Sequence, residues 1–135
     1  MKEHDSDDEE EMNTYKVILV GESDVGKTCI MYRFTKDVFK ENSSPSLTAS
    51  YAEKIIKLKK YGEKEIQFGI WDTVGQEKFR SISNNFFLNA NAAILVYDIT
   101  KKSSFEEIKK FWYNHVIENC PRELNKSLFI NLLLL

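Results

Sequence analysis

Cysteine and histidine are scarce, and their scarcity removes several chemistries at once. The 135-residue chain holds two of each. Cys29 and Cys120 have no close pairing, which points to a reducing compartment rather than a disulfide scaffold. His4 and His115 stand alone, and no Cys/His spacing of a zinc site occurs. Cys29 reads as a small core residue, not a nucleophile. Long apolar runs are missing too. The N-terminal stretch has none, so no signal peptide is expected. Residues 128–135 (LFINLLLL) are interrupted by Asn131 and fall far short of the roughly 20 residues that span a bilayer. Together these absences point to a cytosolic protein. Lys101-Lys102 and Lys109-Lys110 are scattered basic pairs that read as a solvated face, and with no concentrated basic patch no nucleic-acid partner is expected. No internal repeat is visible.

What is present is uneven in charge. Residues 1–13 carry Glu3, Asp5, Asp7, Asp8, Glu9, Glu10 and Glu11 against Lys2 alone, leaving the remainder net basic. An acidic block with nothing apolar to bury stays solvated, so residues 1–13 are expected to form a disordered tail; an arm for a basic partner is the functional alternative. The 42% hydrophobic content suffices for one core, and residues 14–135 are expected to form one domain.

Residues 15–20 (YKVILV) are a β-branched, nearly continuous apolar run, the signature of a strand buried on both faces. Gly21 breaks it, and residues 26–34 read as a helix. Residues 35–50, with Asn, Ser and Pro and no period, read as a loop. Residues 51–58 and 66–71 read as two arms of a hairpin around Gly62, with Ile66, Phe68 and Ile70 on one face. A short helix is expected near 81–89 and a buried strand at 92–97. Ser104 and Glu107 form a capping-box pattern. The helix they open is expected to present Phe105, Ile108, Trp112 and Val116 as its apolar face, with Pro121 past its end. Residues 128–135 read as a further strand. This order predicts an α/β fold of three layers, with a mostly parallel sheet, one antiparallel hairpin and helices covering it.

Residues 21–28 (GESDVGKT) fit G-x-x-x-x-G-K-[ST] between an expected strand and an expected helix. Gly21 and Gly26 let the backbone turn so that successive N–H groups converge on phosphate oxygens. The helix N-terminus adds partial positive charge, and Lys27 adds a full one. The Thr28 hydroxyl can ligate Mg²⁺. Such a loop needs a carboxylate near the metal, at the end of a neighbouring strand. Asp72 closes residues 66–71 and is followed by Thr73-Val74-Gly75-Gln76-Glu77. Gly75 lets its N–H approach a terminal phosphate, and Gln76 has the donor and acceptor needed to orient a water for in-line attack.

With these residues in view, the sequence resembles the Ras superfamily and, within it, the Rab branch. GESDVGKT, WDTVGQEKFRSI and ILVYDIT look like that family's phosphate loop, switch II and fourth-strand segments. The resemblance implies a P-loop NTPase fold that binds GTP/GDP and Mg²⁺. It implies that Ser23, Asp24, Val25, Gly26, Lys27, Thr28 and Cys29 wrap the phosphates, with Gly21 opening the loop. Thr28 then ligates Mg²⁺, Asp72 holds it through water, Gly75 meets the γ-phosphate and Gln76 is the catalytic glutamine. Phe39 is similar in position to the aromatic that packs on the guanine ring; an ordinary core phenylalanine anchoring the loop is the alternative. Trp71, Phe79 and Phe86 resemble the aromatic surface that meets effectors; simple packing is the alternative. Exchange-factor, effector and GTPase-activating proteins are the implied partners.

The sequence also departs from the family. Ser46 stands where a switch-loop threonine completes the Mg²⁺ shell, with Thr48 as the alternative should the loop slip. Val74 replaces a small alanine, and its stiffer side chain is expected to hold intrinsic hydrolysis at or below about 10⁻⁴ s⁻¹. The guanine-reading Asn-Lys-x-Asp is not found: Asn125-Lys126 is followed by Ser127-Leu128. The reading is therefore a domain truncated at its C-terminal end, with no membrane anchor in this chain. The resemblance implies a GTP-hydrolysing switch in vesicle traffic. The alternative is a relative that keeps the phosphate loop but not tight, guanine-specific binding. An ATP-using P-loop protein is less well supported, because Asp72-x-x-Gly75-Gln76 points to the GTPase branch.

Overall fold

The computed structural model describes residue 12 and residues 14–39, 50–73 and 82–120. Strand β1 (Thr14–Val20) leads through a loop into helix α1 (Lys27–Lys36). Strands β2 (Ser50–Leu58) and β3 (Lys64–Asp72) form the antiparallel hairpin, closed by a 3₁₀ turn at Lys59–Tyr61. A single helical turn, α2 (Asn84–Phe87), precedes strand β4 (Ala92–Leu95). Helix α3 (Lys102–Glu107), a π turn (Ile108–Trp112) and helix α4 (Tyr113–Asn119) then follow one another directly. The sheet order is β2-β3-β1-β4, with β1 parallel to both neighbours. The mostly parallel sheet with one antiparallel pair is the architecture that the sequence predicts.

The apolar run of β1 explains the layering. Alternate residues of a strand point to opposite faces, and here both faces are covered. Val17 and Leu19 join Met31 and Ile70 on one side, with Ile30, Phe34 and Phe68 packed around them. Ile18 and Val20 join the second cluster, with Phe87, Leu95, Ile108 and Trp112. Phe87 is fully buried, a contribution of roughly 2–3 kcal/mol from apolar burial alone. Edge strand β2 instead alternates exposed and half-buried positions. It is tied to its neighbours by polar contacts: the Lys57–Glu65 pair at 2.8 Å, and Lys54 Nζ donating to Phe34 O at 2.5 Å.

Three local expectations need correction. The helix expected from Ser104 begins at Lys102, with Lys101 as N-cap. Ser104 lies inside the helix, where its hydroxyl accepts from Asp98 N at 3.0 Å and has the Lys101 carbonyl at 2.7 Å to donate to. The serine therefore ties the helix back to the preceding turn rather than opening it. The apolar face also excludes Phe105, which is exposed; buried Ser104 takes that place, followed by Ile108, Trp112 and Val116. Residues four apart drift by about 40° per step on a helix of 3.6 residues per turn. The wider π turn offsets that drift and keeps this row on the core. Finally, Thr35 and Lys36 belong to α1, so the loop expected from residue 35 starts later; Thr35 Oγ1 donates to Met31 O at 2.7 Å. Residues 40–49 and the strand expected at 128–135 lie outside the described residues, as do residues 1–11 and 13 of the acidic block.

Cys120, just past α4, faces the start of β1. Lys16 Nζ there donates to Asn85 O at 3.0 Å and Leu88 O at 2.8 Å, and sits 4.6 Å from the centre of the Trp71 ring. Burial pushes the Cys120 thiol up to about 11, with nearby Lys16 opposing the rise. The thiolate is the reactive form. At pH 8 alkylation of Cys120 by iodoacetamide is expected to be about a hundredfold slower in the folded chain than in urea. Peptide mass spectrometry of time points checks this, and equal rates in both states would contradict it.

Candidate functional site

The loop between β1 and α1 is shaped by two glycines. Gly21 has φ +152°, and a Cβ placed on it would lie 2.2 Å from the carbonyl oxygen of Val96. That carbonyl cannot retreat easily, because Val96 N is itself bonded to Val20 O at 2.8 Å. Gly26, with φ +98°, turns the chain into α1 and serves as its N-cap without a side-chain acceptor. The first turn of α1 contains no acidic residue, so its N–H groups and partial positive charge face the loop uncompensated by a carboxylate of that turn. Val25 is buried and pins the loop from below, while Ser23 is half-buried and Asp24 exposed at φ +60°. Cys29 lies half-buried on the first turn of α1.

Lys27 is only 4% exposed. Its ammonium donates to Gly21 O at 3.2 Å and Glu22 O at 2.5 Å, so the side chain folds back across the loop and braces it. Thr28 comes next on α1, and its hydroxyl donates to Asp72 Oδ2. Asp72 is fully buried at the end of β3, in register with Leu19 of β1 and Ser50 of β2. The parallel pairing of β1 and β3 thus brings residues 44 positions apart into contact. A lysine, a hydroxyl and a carboxylate gather at the C-terminal ends of parallel strands, where α/β sheets place their ligands.

Phe39 is 62% exposed. Trp71 is half-buried, with Tyr51 packed on it at 4.8 Å between ring centres. Phe86 is not part of an aromatic surface: it is 5% exposed and edge-on to Phe87 within the core. The single turn of α2 directs Phe86 and Phe87 inward together, because only Asn84 and Asn85 fill its solvent side. Ser46, Thr48, Val74, Gly75, Gln76 and Phe79 lie outside the described residues.

Against this geometry, the Ras family sequence profile matches residues 16–132. The chain belongs to the Ras family. Its similarity extends to Rab proteins: it is 38% identical over 117 residues to Ras-related protein Rab-10 of Caenorhabditis elegans, covering 87% of this chain and 56% of that protein. It is 42% identical over 102 residues to RabC of Dictyostelium discoideum, covering 76% and 52%. With RABA6a of Arabidopsis thaliana it shares 39% over 99 residues, covering 73% and 41%. The chain spans about half the length of the curated relatives it matches. Among the described residues of this Ras-family chain, no helix is long and apolar enough to cross a membrane.

One contact at the site has no counterpart in the motif. Glu22 occupies an unspecified position of the phosphate-loop pattern, yet its carboxylate accepts a 2.8 Å hydrogen bond from the Trp112 indole N–H. The two residues are 90 apart, so no local pattern could signal the pair.

Proposed function

We propose that this chain binds guanine nucleotide together with Mg²⁺ and hydrolyses GTP to GDP and phosphate, acting as a cytoplasmic switch in vesicle traffic at endomembranes. The observation that carries the reading is the contact of Thr28 with Asp72 at the end of the sheet, next in sequence to the Lys27 that braces the loop. The loop N–H groups and the helix terminus bind the phosphates, and the Lys27 ammonium takes the outermost charge. The Thr28 hydroxyl and the Asp72 carboxylate are hard oxygen donors side by side, a fit for Mg²⁺, which uses few protein ligands and leaves the rest to phosphate and water. Bound there, Mg²⁺ would neutralise charge developing on the transferred phosphoryl group. Ser46 completes the metal shell, Gly75 donates its N–H to the γ-phosphate, and Gln76 orients the attacking water. Phe39, an exposed aromatic, stacks on the guanine ring. Effector, exchange-factor and GTPase-activating proteins read and reset the switch.

A second reading rests on the sequence after residue 120. Asn125-Lys126-Ser127-Leu128 is not an Asn-Lys-x-Asp, the pattern whose aspartate accepts from the guanine N–H groups. A site missing such partners discriminates poorly between bases. Under this reading the chain keeps the phosphate loop without tight guanine-specific binding.

Titration with fluorescent GDP, competed by GDP and by ADP, separates the two. Competition by GDP at least about a hundredfold stronger than by ADP supports the switch. Equal competition supports the second reading, and no saturable binding at all overturns the first. The metal is tested by Asp72→Asn. This change removes the charge but leaves a carbonyl oxygen for Thr28. The gain in affinity that Mg²⁺ confers is expected to fall about 10–100-fold, while binding in excess EDTA stays as in the unmodified chain.

A further inference from the structure

We propose that Trp112 is a positioning residue for the phosphate loop, acting through Glu22 on Lys27; the inference rests on the nucleotide-binding reading and names a device within that site. Glu22 faces two ways. Its side chain accepts the indole N–H of Trp112 at 2.8 Å, and its carbonyl accepts the ammonium of Lys27 at 2.5 Å. Whatever fixes Glu22 therefore fixes where the charge of Lys27 is held.

Trp112 is suited to do the fixing. It is fully buried in the larger core cluster, edge-on to Phe111 at 4.9 Å between ring centres. A side chain packed in this way has one orientation, and its single N–H has one direction. An indole donor displaced from its acceptor in a dry core would carry the desolvation cost of an unmade hydrogen bond. The pairing with a carboxylate is charge-assisted and stronger than a neutral one. The π turn ends at Trp112, and the shift it introduces keeps the indole on the core row from Ile108 to Val116. The loop is thus clamped at three points: Gly21 against Val96, Lys27 across its own carbonyls, and Glu22 against the indole. A loop ordered before the phosphates arrive spends less of their binding energy on its own ordering. The clamp should therefore register in affinity more than in folding.

The test uses the full chain and fluorescent GDP with Mg²⁺. Glu22→Ala and Trp112→Phe are each expected to weaken binding about tenfold or more, through faster dissociation. Glu22→Gln, which keeps an acceptor, should return to within about threefold of the unmodified chain. The double variant Glu22→Ala with Trp112→Phe should bind no worse than the weaker single variant, because both remove one bond. Amide hydrogen exchange without nucleotide provides a second readout: Glu22→Ala should speed exchange in residues 21–28 and leave β1 unchanged. Unaltered affinity in Glu22→Ala, failure of Glu22→Gln to restore it, or losses that multiply in the double variant would overturn the inference. Should the unmodified chain bind no nucleotide, the functional reading fails instead. The exchange experiment then decides this proposal alone, and unchanged exchange in residues 21–28 overturns it.

Discussion

Gly21→Ala is expected to cost the chain most of its stability. Two penalties coincide at this position. The backbone sits at φ +152°, where an L side chain is strained by about 1–3 kcal/mol. The new methyl would also lie 2.2 Å from the Val96 carbonyl oxygen, a contact relieved only by moving backbone. Overpacking of that kind costs about a further 1–3 kcal/mol. Val96 cannot yield alone, since its N–H holds Val20 at the junction of β1 and β4. The sum is comparable with the lower end of domain stability, about 5 kcal/mol. Thermal unfolding followed by circular dichroism should show the midpoint falling by more than about 10 °C, or no cooperative transition. Gly62→Ala is the control. That glycine also has positive φ, but nothing lies within 4 Å of its would-be Cβ, so only the backbone penalty applies. If Gly21→Ala and Gly62→Ala unfold at the same temperature, the close approach at Val96 contributes nothing.

The same residue shows how far sequence alone reaches. Gly21 and Gly26 are legible because a phosphate loop demands sharp turns at a fixed spacing, and their positive φ values answer that demand. The strands are legible for a related reason. A run such as YKVILV has no polar face to offer water, so it must lie between two covered layers, and residues 17–20 are buried. The helix after β4 is less so. Its apolar residues recur every four positions, and a 3.6-residue period assigns Phe105 to the inner face. Only the π turn, which the sequence does not announce, moves Ser104 there instead. Phe86 fails as a surface residue because α2 is a single turn with phenylalanine at both of its last positions, and the larger core takes both. The contacts that hold the site are the least legible. Thr28 with Asp72 can be paired from the sequence, because a phosphate loop calls for a carboxylate at the end of a neighbouring strand. Glu22 with Trp112 cannot, since neither residue's type hints at the other across 90 positions.

Lys27→Met is expected to abolish tight nucleotide binding while leaving the fold standing. Methionine keeps an unbranched apolar stem in a position that is 4% exposed, so the packing beneath the ammonium is preserved. What is lost is a charge and two hydrogen bonds, to Gly21 O and Glu22 O. Those carbonyls become partnerless with respect to Lys27, a cost of about 1–3 kcal/mol to the folded chain. The midpoint of thermal unfolding should accordingly fall by only about 5–15 °C. The loss on the ligand side is larger. A buried cation paired with an anion contributes about 2–5 kcal/mol or more when its partner is removed, and here the charge is missing from the phosphate end entirely. Affinity for GDP with Mg²⁺ should drop about a thousandfold, read by fluorescence titration at the temperature where both chains are folded. Lys27→Arg should recover little of it. Its planar fork points donors in fixed directions, and the narrow space between the Gly21 and Glu22 carbonyls suits a compact ammonium. If Lys27→Met binds GDP within tenfold of the unmodified chain, Lys27 braces the loop but does not meet the phosphates, and the site must be assigned elsewhere.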